Sequence, residues 1–245
     1  MLGLSEAKPM ASILGLRLAR DQPDVDRREI IRQRREMLDA VYRVYGAHES
    51  GATKVVIKCH AAALLHLARL RQVWPDAPFV VVTRDPLEVL VSNLQLPASW
   101  LRARLEPLSC RTALGLTISE LQHMSAEEFG ARTLGQFHHA ALEGLSAPYR
   151  IIDYDELNVH TIYEIATLCG VTLPPQDAPD IRKLLSTYAK DPLRERPFVP
   201  DRERKAALAT TTTKAFVERW ARPAYERLRQ KARQSGALCA SATIH

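Results

Sequence analysis

No apolar run in the 245 residues approaches the roughly 20 that a membrane-spanning helix requires, so no transmembrane segment is expected. The opening stretch Met1-Leu2-Gly3-Leu4-Ser5-Glu6 has neither the basic region nor the long apolar stretch of a secretory signal. Cysteine is scarce. Cys59, Cys110, Cys169 and Cys239 show no Cys-x-x-Cys spacing, so neither a zinc knuckle nor a disulfide framework is indicated, and a reducing, cytoplasmic compartment is expected. A Gly-x-x-x-x-Gly-Lys-Ser/Thr loop is absent, which disfavours a nucleotide kinase. Basic residues are dispersed without interleaved aromatics, so nucleic acid is not an expected partner. His138 and His139, adjacent on a helical pattern, point different ways, and no metal site is expected. Without internal repeats or a Gly/Ser linker, one domain over residues 1–245 is expected, with 174–245 as its mainly helical extension.

What is present is an ordinary globular composition, 46% apolar and 25% charged, with 34 Lys and Arg against 28 Asp and Glu. The net charge of +6 permits an anionic ligand without demanding one. Four apolar, β-rich runs flanked by helical patterns read as buried parallel strands: Leu2 to Ser5, Lys54 to Lys58, Phe79 to Thr83 and Arg150 to Tyr154. A helix is expected from Arg27 to Tyr45, opened by Asp26 and Glu29 as a capping box, and another over Ala61 to Val73. Asp85, Pro86 and Glu88 take the N-cap, N1 and N3 positions of the helix after the third strand. Ser125 to Glu128 opens a helix to about Glu143, and Gly170 closes one over Tyr163 to Cys169. The final amphipathic helix carries Phe216, Val217, Trp220 and Leu228 and is expected to bend at Pro223. The fold class is therefore α/β, a mostly parallel sheet flanked by helices.

Chemistry concentrates at the end of the third strand. Arg84 leaves the carboxyl edge of a parallel strand beside a helix N-terminus, where such folds bind ligands, and its planar fork suits a phosphate. An ordinary surface ion pair is the alternative. The stretch from Phe79 to Asn93 resembles the 3′-phosphate-binding segment of sulfotransferases that use 3′-phosphoadenosine 5′-phosphosulfate (PAPS), in which a Ser follows the strand-ending Arg by eight positions, as Ser92 follows Arg84. Upstream, Val55-Val56-Ile57-Lys58-Cys59-His60, a helix and Trp74-Pro75-Asp76-Ala77-Pro78 are similar to the family's strand ending in Lys-x-His or Lys-Ser-Pro, its helix and its Phe-Pro-Asp-Ala turn. Downstream, Tyr149 to Leu157 is similar to its Tyr-Glu-Asp-Leu strand end, followed by Leu168-Cys169-Gly170-Val171. The resemblance covers roughly residues 1 to 175.

The resemblance implies a P-loop-like sulfotransferase fold and sulfuryl transfer from PAPS to an unidentified hydroxyl or amine acceptor, with no metal. Arg84 and Ser92 would hold the 3′-phosphate, and Tyr154 would lie against the adenine or simply pack. Lys58 would approach the sulfuryl or 5′-phosphate oxygens, or snorkel beside its strand. Glu6 and His60 match two alternative family bases, against ion pairing with Lys8 or helix capping for Glu6 and core packing for His60. Arg204, in Arg204-Lys205-Ala206, stands where the family places Arg-Lys-Gly over the 3′-phosphate. The family's Gly-rich 5′-phosphosulfate loop has no counterpart: Glu49 to Lys54 precedes a strand, whereas such a loop must follow one. Leu4-Ser5-Glu6-Ala7-Lys8-Pro9 resembles the family's second-strand end, so the first strand-loop-helix unit is expected to be missing. A truncated, inactive chain, or a nucleotide-binding pseudoenzyme or interaction protein, is the accompanying expectation.

Overall fold

The computed structural model describes residues 2–5, 27–46, 54–102, 104, 114–187, 197, 199 and 201–241. In chain order its elements are β1 (Leu2–Ser5), α1 (Arg27–Gly46), β2 (Val55–Lys58), a 3-10 turn (Ala61–His66) leading into α2 (Leu67–Val73), and β3 (Phe79–Thr83). They continue with α3 (Pro86–Gln95), α4 (Ser99–Arg102), α5 (Ile118–His123), α6 (Ala126–Gly144), β4 (Tyr149–Asp153), α7 (Val159–Leu168), α8 (Ala178–Leu185), α9 (Arg202–Leu208), α10 (Thr211–Phe216) and α11 (Arg222–Ser241). The chain is α/β, mostly helical with a small amount of parallel strand. No helix among the described residues is long and apolar enough to cross a membrane.

All four expected strands form, within one residue of their expected bounds, but their pairing differs from one continuous sheet. β1 pairs with β2, from Leu2 opposite Val55 to Ser5 opposite Lys58, and β3 with β4, from Phe79 opposite Tyr149 to Thr83 opposite Asp153. Among the described residues no ladder joins the two pairs. The reason for the difference is that apolar composition marks a strand without specifying its neighbour or covering both its faces. Val82 stays 51% exposed within a run that reads as wholly buried.

The core is built around α6. Ser125 caps it, accepting from the Glu128 backbone N–H at 3.1 Å, while the Glu128 side chain turns to Arg132 instead of completing the expected box. Its inner face sets Phe129, Ala131, Leu134 and Phe137 against Leu90, Trp100, Leu121 and Val217. Farther along, Ala141 and Leu145 meet Val81, Ile151, Leu67 and Leu228, so the C-terminal α11 shares one cluster with β3 and β4. Complete burial of Leu228 contributes about 1.5 to 3 kcal/mol to that attachment. A third cluster of Leu38, Leu70 and Val73 fastens α1 to α2, and Ile57 of β2 and Phe79 of β3 both pack against it.

The Asp26 half of the capping box expected at the start of α1 lies outside the described residues; Glu29 accepts from Arg32 and Gln33. The last helix is interrupted one turn earlier than the proline suggests. Residues Val217–Ala221 form a π-helical turn in which the Arg222 N–H reaches back to the Val217 carbonyl, immediately before Pro223. Pro223 has no N–H with which to continue the α-helical ladder, and the wider turn absorbs that loss. This turn lies flush on α6: a Cβ at Gly135 would stand 2.1 Å from the Trp220 carbonyl oxygen. At the opposite end of the strands, the Arg71 guanidinium donates to the carbonyls of Pro75 (2.8 Å), Ala77 (2.8 Å) and Pro148 (3.1 Å), tying together the turns that enter β3 and β4.

Candidate functional site

The carboxyl end of β3 is shaped by its own sequence. Asp85 turns its carboxylate back to accept from the Leu87 and Glu88 backbone N–H groups at 2.8 and 3.4 Å, and Pro86 sets the first helical residue of α3. The other Asp85 oxygen receives Arg222 Nη1 at 2.7 Å, fixing α11 to the start of α3. Burial pushes the Asp85 carboxyl up, but the Arg222 hydrogen bond and charge outweigh it and hold the group below its ordinary value. Arg222 is correspondingly raised, despite burial, by Asp85 and Glu218.

This capped turn aims Arg84 across the strand ends. Its guanidinium lies 4.7 Å from the Tyr154 ring centre, and Nη2 is 2.6 Å from Glu88 Oε2 and 3.5 Å from Asp201 Oδ1. The Glu88 contact is a close ion pair without hydrogen-bond alignment. Glu88 is buried in the first turn of α3, and its other oxygen faces Arg202 Nε at 3.6 Å. Asp201, just before α9, meets Lys205 Nζ and Arg204 Nη2, both at 2.9 Å. Desolvation works against its carboxylate, but Lys205, Arg204 and Arg84 together hold its pKa below the ordinary value. Ser92 is half-buried, nearly two turns into α3.

The end of β4 supplies a second anchor. Asp153 caps the short 3-10 turn Tyr154–Glu156, with Glu156 reaching back to its N–H. Tyr225 of α11 donates its hydroxyl to Asp153 Oδ2 at 2.8 Å, and Arg229 Nε stands 3.5 Å from the same oxygen. Behind both strands His138 of α6 is buried, 3.4 Å from the Thr83 hydroxyl and with its ring centre 5.5 Å from that of Tyr225. Between the strand ends and α11 opens a cleft of about 400 Å³, lined among others by Asp85, Asp153, Arg202, Arg222, Tyr225 and Arg229.

The remaining candidates lie elsewhere. Lys58 is exposed at the end of β2. His60 caps the 3-10 turn, its Nδ1 accepting from the Ala62 N–H at 3.3 Å, while Nε2 is 2.5 Å from Ser99 Oγ. That pattern fits the neutral tautomer with the proton on Nε2, donating to the Ser99 hydroxyl. Both ring nitrogens are thus engaged. Glu6 lies outside the described residues. The structure brings together Arg84 and Tyr154, and through Asp201 also Arg204; the described hydrogen bonds and ion pairs join neither Lys58 nor His60 to that group.

Sequence reasoning missed Glu88, Asp201, Arg222, Tyr225 and Arg229 as site neighbours. Two signals were available: the four-residue spacings Arg84/Glu88 and Asp201/Lys205, and the helical spacing that places Arg222, Tyr225 and Arg229 on one face. Among the described residues no group of three or more His, Cys, Asp or Glu could hold a metal ion.

A family model described as the sulfotransferase family matches residues 10–171. No curated protein and no solved structure matches the chain. The matched segment contains β2, β3 and β4 with Lys58, His60, Arg84, Ser92 and Tyr154, and ends before α9 and α11. Since it spans about two thirds of the sequence and includes the capped Arg84 turn, the chain belongs to the sulfotransferase family.

Proposed function

We propose that this chain is a PAPS-dependent sulfotransferase whose 3′-phosphate site is built on Arg84. The observation that carries the reading is the convergence of Arg84, Arg204 and Lys205 on one carboxylate at the strand ends, a cation cluster that fits an anionic phosphate. Ser92 completes the 3′-phosphate contacts, and Tyr154, against which Arg84 already lies, faces the adenine. Residues 1–245 act as one domain, a reading supported by Leu228 sharing a cluster with Val81 and Ile151. The setting is cytoplasmic, consistent with Cys59 and Cys169 being free thiols.

In the reaction the acceptor oxygen or nitrogen forms a bond to sulfur while the bond from sulfur to the 5′-phosphate oxygen breaks, leaving 3′,5′-adenosine diphosphate. Lys58 stabilises charge on the sulfuryl or departing phosphate oxygens. The acceptor proton passes to a base. Glu6 is preferred over His60 for this role, because the His60 nitrogens are engaged by Ala62 and Ser99.

Calorimetry with 3′,5′-adenosine diphosphate on the wild type and Arg84→Ala is the test. Loss of one charge-assisted phosphate contact weakens binding roughly ten- to hundredfold; unchanged affinity removes Arg84 from the site. Sulfate transfer from labelled PAPS to a panel of hydroxyl and amine acceptors then separates a transferase from a protein that only binds nucleotide.

A further inference from the structure

We infer that Asp201 is an internal counter-anion, occupying between Arg84, Arg204 and Lys205 the place that a nucleotide's phosphate takes, so that nucleotide binding is an exchange of one anion for another. The inference rests on the reading of Arg84 as a phosphate ligand. Its basis is the geometry of one carboxylate. Asp201 Oδ1 lies 2.9 Å from Lys205 Nζ and 3.5 Å from Arg84 Nη2, and Oδ2 lies 2.9 Å from Arg204 Nη2. Three cations from two separate parts of the chain therefore share a single acid.

Lys205 explains why the place is filled. Its side chain is only 8% exposed, and an ammonium so far removed from water needs an anion beside it. Glu88 is the other acid nearby, but it is rooted in the first turn of α3 and buried, so it stays. Asp201 is 29% exposed on its side chain, and that side chain does not cap the N–H groups of α9, so it is held by Lys205, Arg204 and Arg84, the same cations that a phosphate would engage. With Arg202 included, four cations face two carboxylates in this cluster, a surplus of positive charge that receives a phosphate dianion more readily than a singly charged ion. Asp201 is ionised at neutral pH as any ordinary aspartate is; desolvation opposes its charge, and Lys205, Arg204 and Arg84 outweigh that and lower its pKa further.

The consequence is selectivity. A ligand bearing a 3′-phosphate must displace Asp201, whereas one without it leaves the exchange unmade. The test is calorimetric titration of wild type and Asp201→Asn with 3′,5′-adenosine diphosphate and with 5′-AMP. The expected result is a roughly three- to tenfold gain in affinity of the variant for the 3′-phosphorylated ligand and no change for 5′-AMP. Glu203→Gln, which removes an equal charge from the exposed side of α9, should not reproduce the gain. Asp201→Ser, whose hydroxyl can cap α9, serves if the amide variant does not fold. Equal or weaker binding of the 3′-phosphorylated ligand by these variants overturns the inference, because Asp201 would then be ordering the cations instead of competing for them. If that occurs while Arg84→Ala still weakens binding, only the counter-anion falls; if Arg84→Ala binds like wild type, the phosphate site itself falls and takes the inference with it.

Discussion

β2 and β3 have closely similar sequences, Val-Val-Ile-Lys and Phe-Val-Val-Val-Thr, and each lies in a parallel pair, yet they occupy different environments. β2 alternates between half-buried and exposed with no fully buried residue, whereas β3 buries Val81 and Thr83 and is paired to a β4 whose last three residues are all buried. The difference lies in what packs against each strand. α6 and α11 close one face of the β3–β4 pair, while among the described residues Ile57 of β2 packs at the margin of the small cluster between α1 and α2. Strand composition supplied the tendency, and the covering helices decided the burial. The same division runs through the candidate site: Arg84 stands on the covered pair amid ion pairs, and Lys58 stands exposed on the other.

The sharpest way to break this contrast is to lift the covering layer. Gly135→Ala places a methyl group 2.1 Å from the Trp220 carbonyl oxygen, so α6 and the π-helical turn must separate. We expect a loss of about 3 kcal/mol or more, read as a fall of roughly 6 to 12 °C in Tm. A wild-type Tm in the variant would show that the contact between α6 and the π-helical turn is not what holds the covered half together.

A comparable effect is reached by acid. Burial, chiefly, pulls His138 down from 6.5 to about 4, with His139 and Arg222 adding to the shift and the Ala221 backbone opposing it. The unfolded chain binds a proton near 6.5 and the folded chain only near 4, so this contribution to stability is intact above pH 6.5 and is lost as the pH falls between those values. The loss is on the order of 3 kcal/mol by pH 4. Denaturant midpoints at pH 7 and pH 4.5 measure it, and His138→Phe, which keeps a ring beside Tyr225, should flatten the dependence. Identical slopes in both proteins would place the acid sensitivity elsewhere.

The smallest effect sharpens the comparison most directly. Val81→Ala and Val56→Ala make the same chemical change on the two strands. The first removes buried methyl groups and should cost about 1.5 to 3 kcal/mol. The second, at a side chain 41% exposed, should cost under about 0.5 kcal/mol. Equal losses in urea unfolding would mean that β2 is as well covered as β3.

What was legible in the sequence was local. Asp85-Pro86-Leu87-Glu88 specifies its own helix start through bonds spanning three residues, and Ser125 and Gly170 mark helix ends in the same way. The helix expected from Tyr163 in fact begins at Val159, because Asn158 caps it by accepting from the Thr161 N–H; an Asn in a polar stretch did not stand out as a cap. Ala61 to His66 has helical composition but winds as a 3-10 turn beneath the His60 cap. The partners of Arg84 were less accessible. Asp201 lies more than a hundred positions away, and its approach depends on α9 docking against α3, which no local pattern announces. The strand pairing was hidden for the same reason, since four similar apolar runs admit several neighbour orders.

The π-helical turn before Pro223 has a consequence for the angular phase of everything after it. Each residue in a regular α-helix advances the side-chain direction by roughly 100°, so accommodating one residue in a wider turn offsets the rest of the helix by about that angle. Arg222, Tyr225 and Arg229, the residues of α11 that meet Asp85 and Asp153, all come after the turn. Val217 and Ala221 within it keep their places against α6. Regular winding of the same residues through Val217–Ala221 would rotate the cleft-facing side chains of α11 by roughly 100° away from the strand ends, whereas deleting one residue within the turn would restore both the regular winding and their direction. The wide turn is in that sense an indexing device: it lets one continuous helix address the α6 core with one stretch and the cleft with the next.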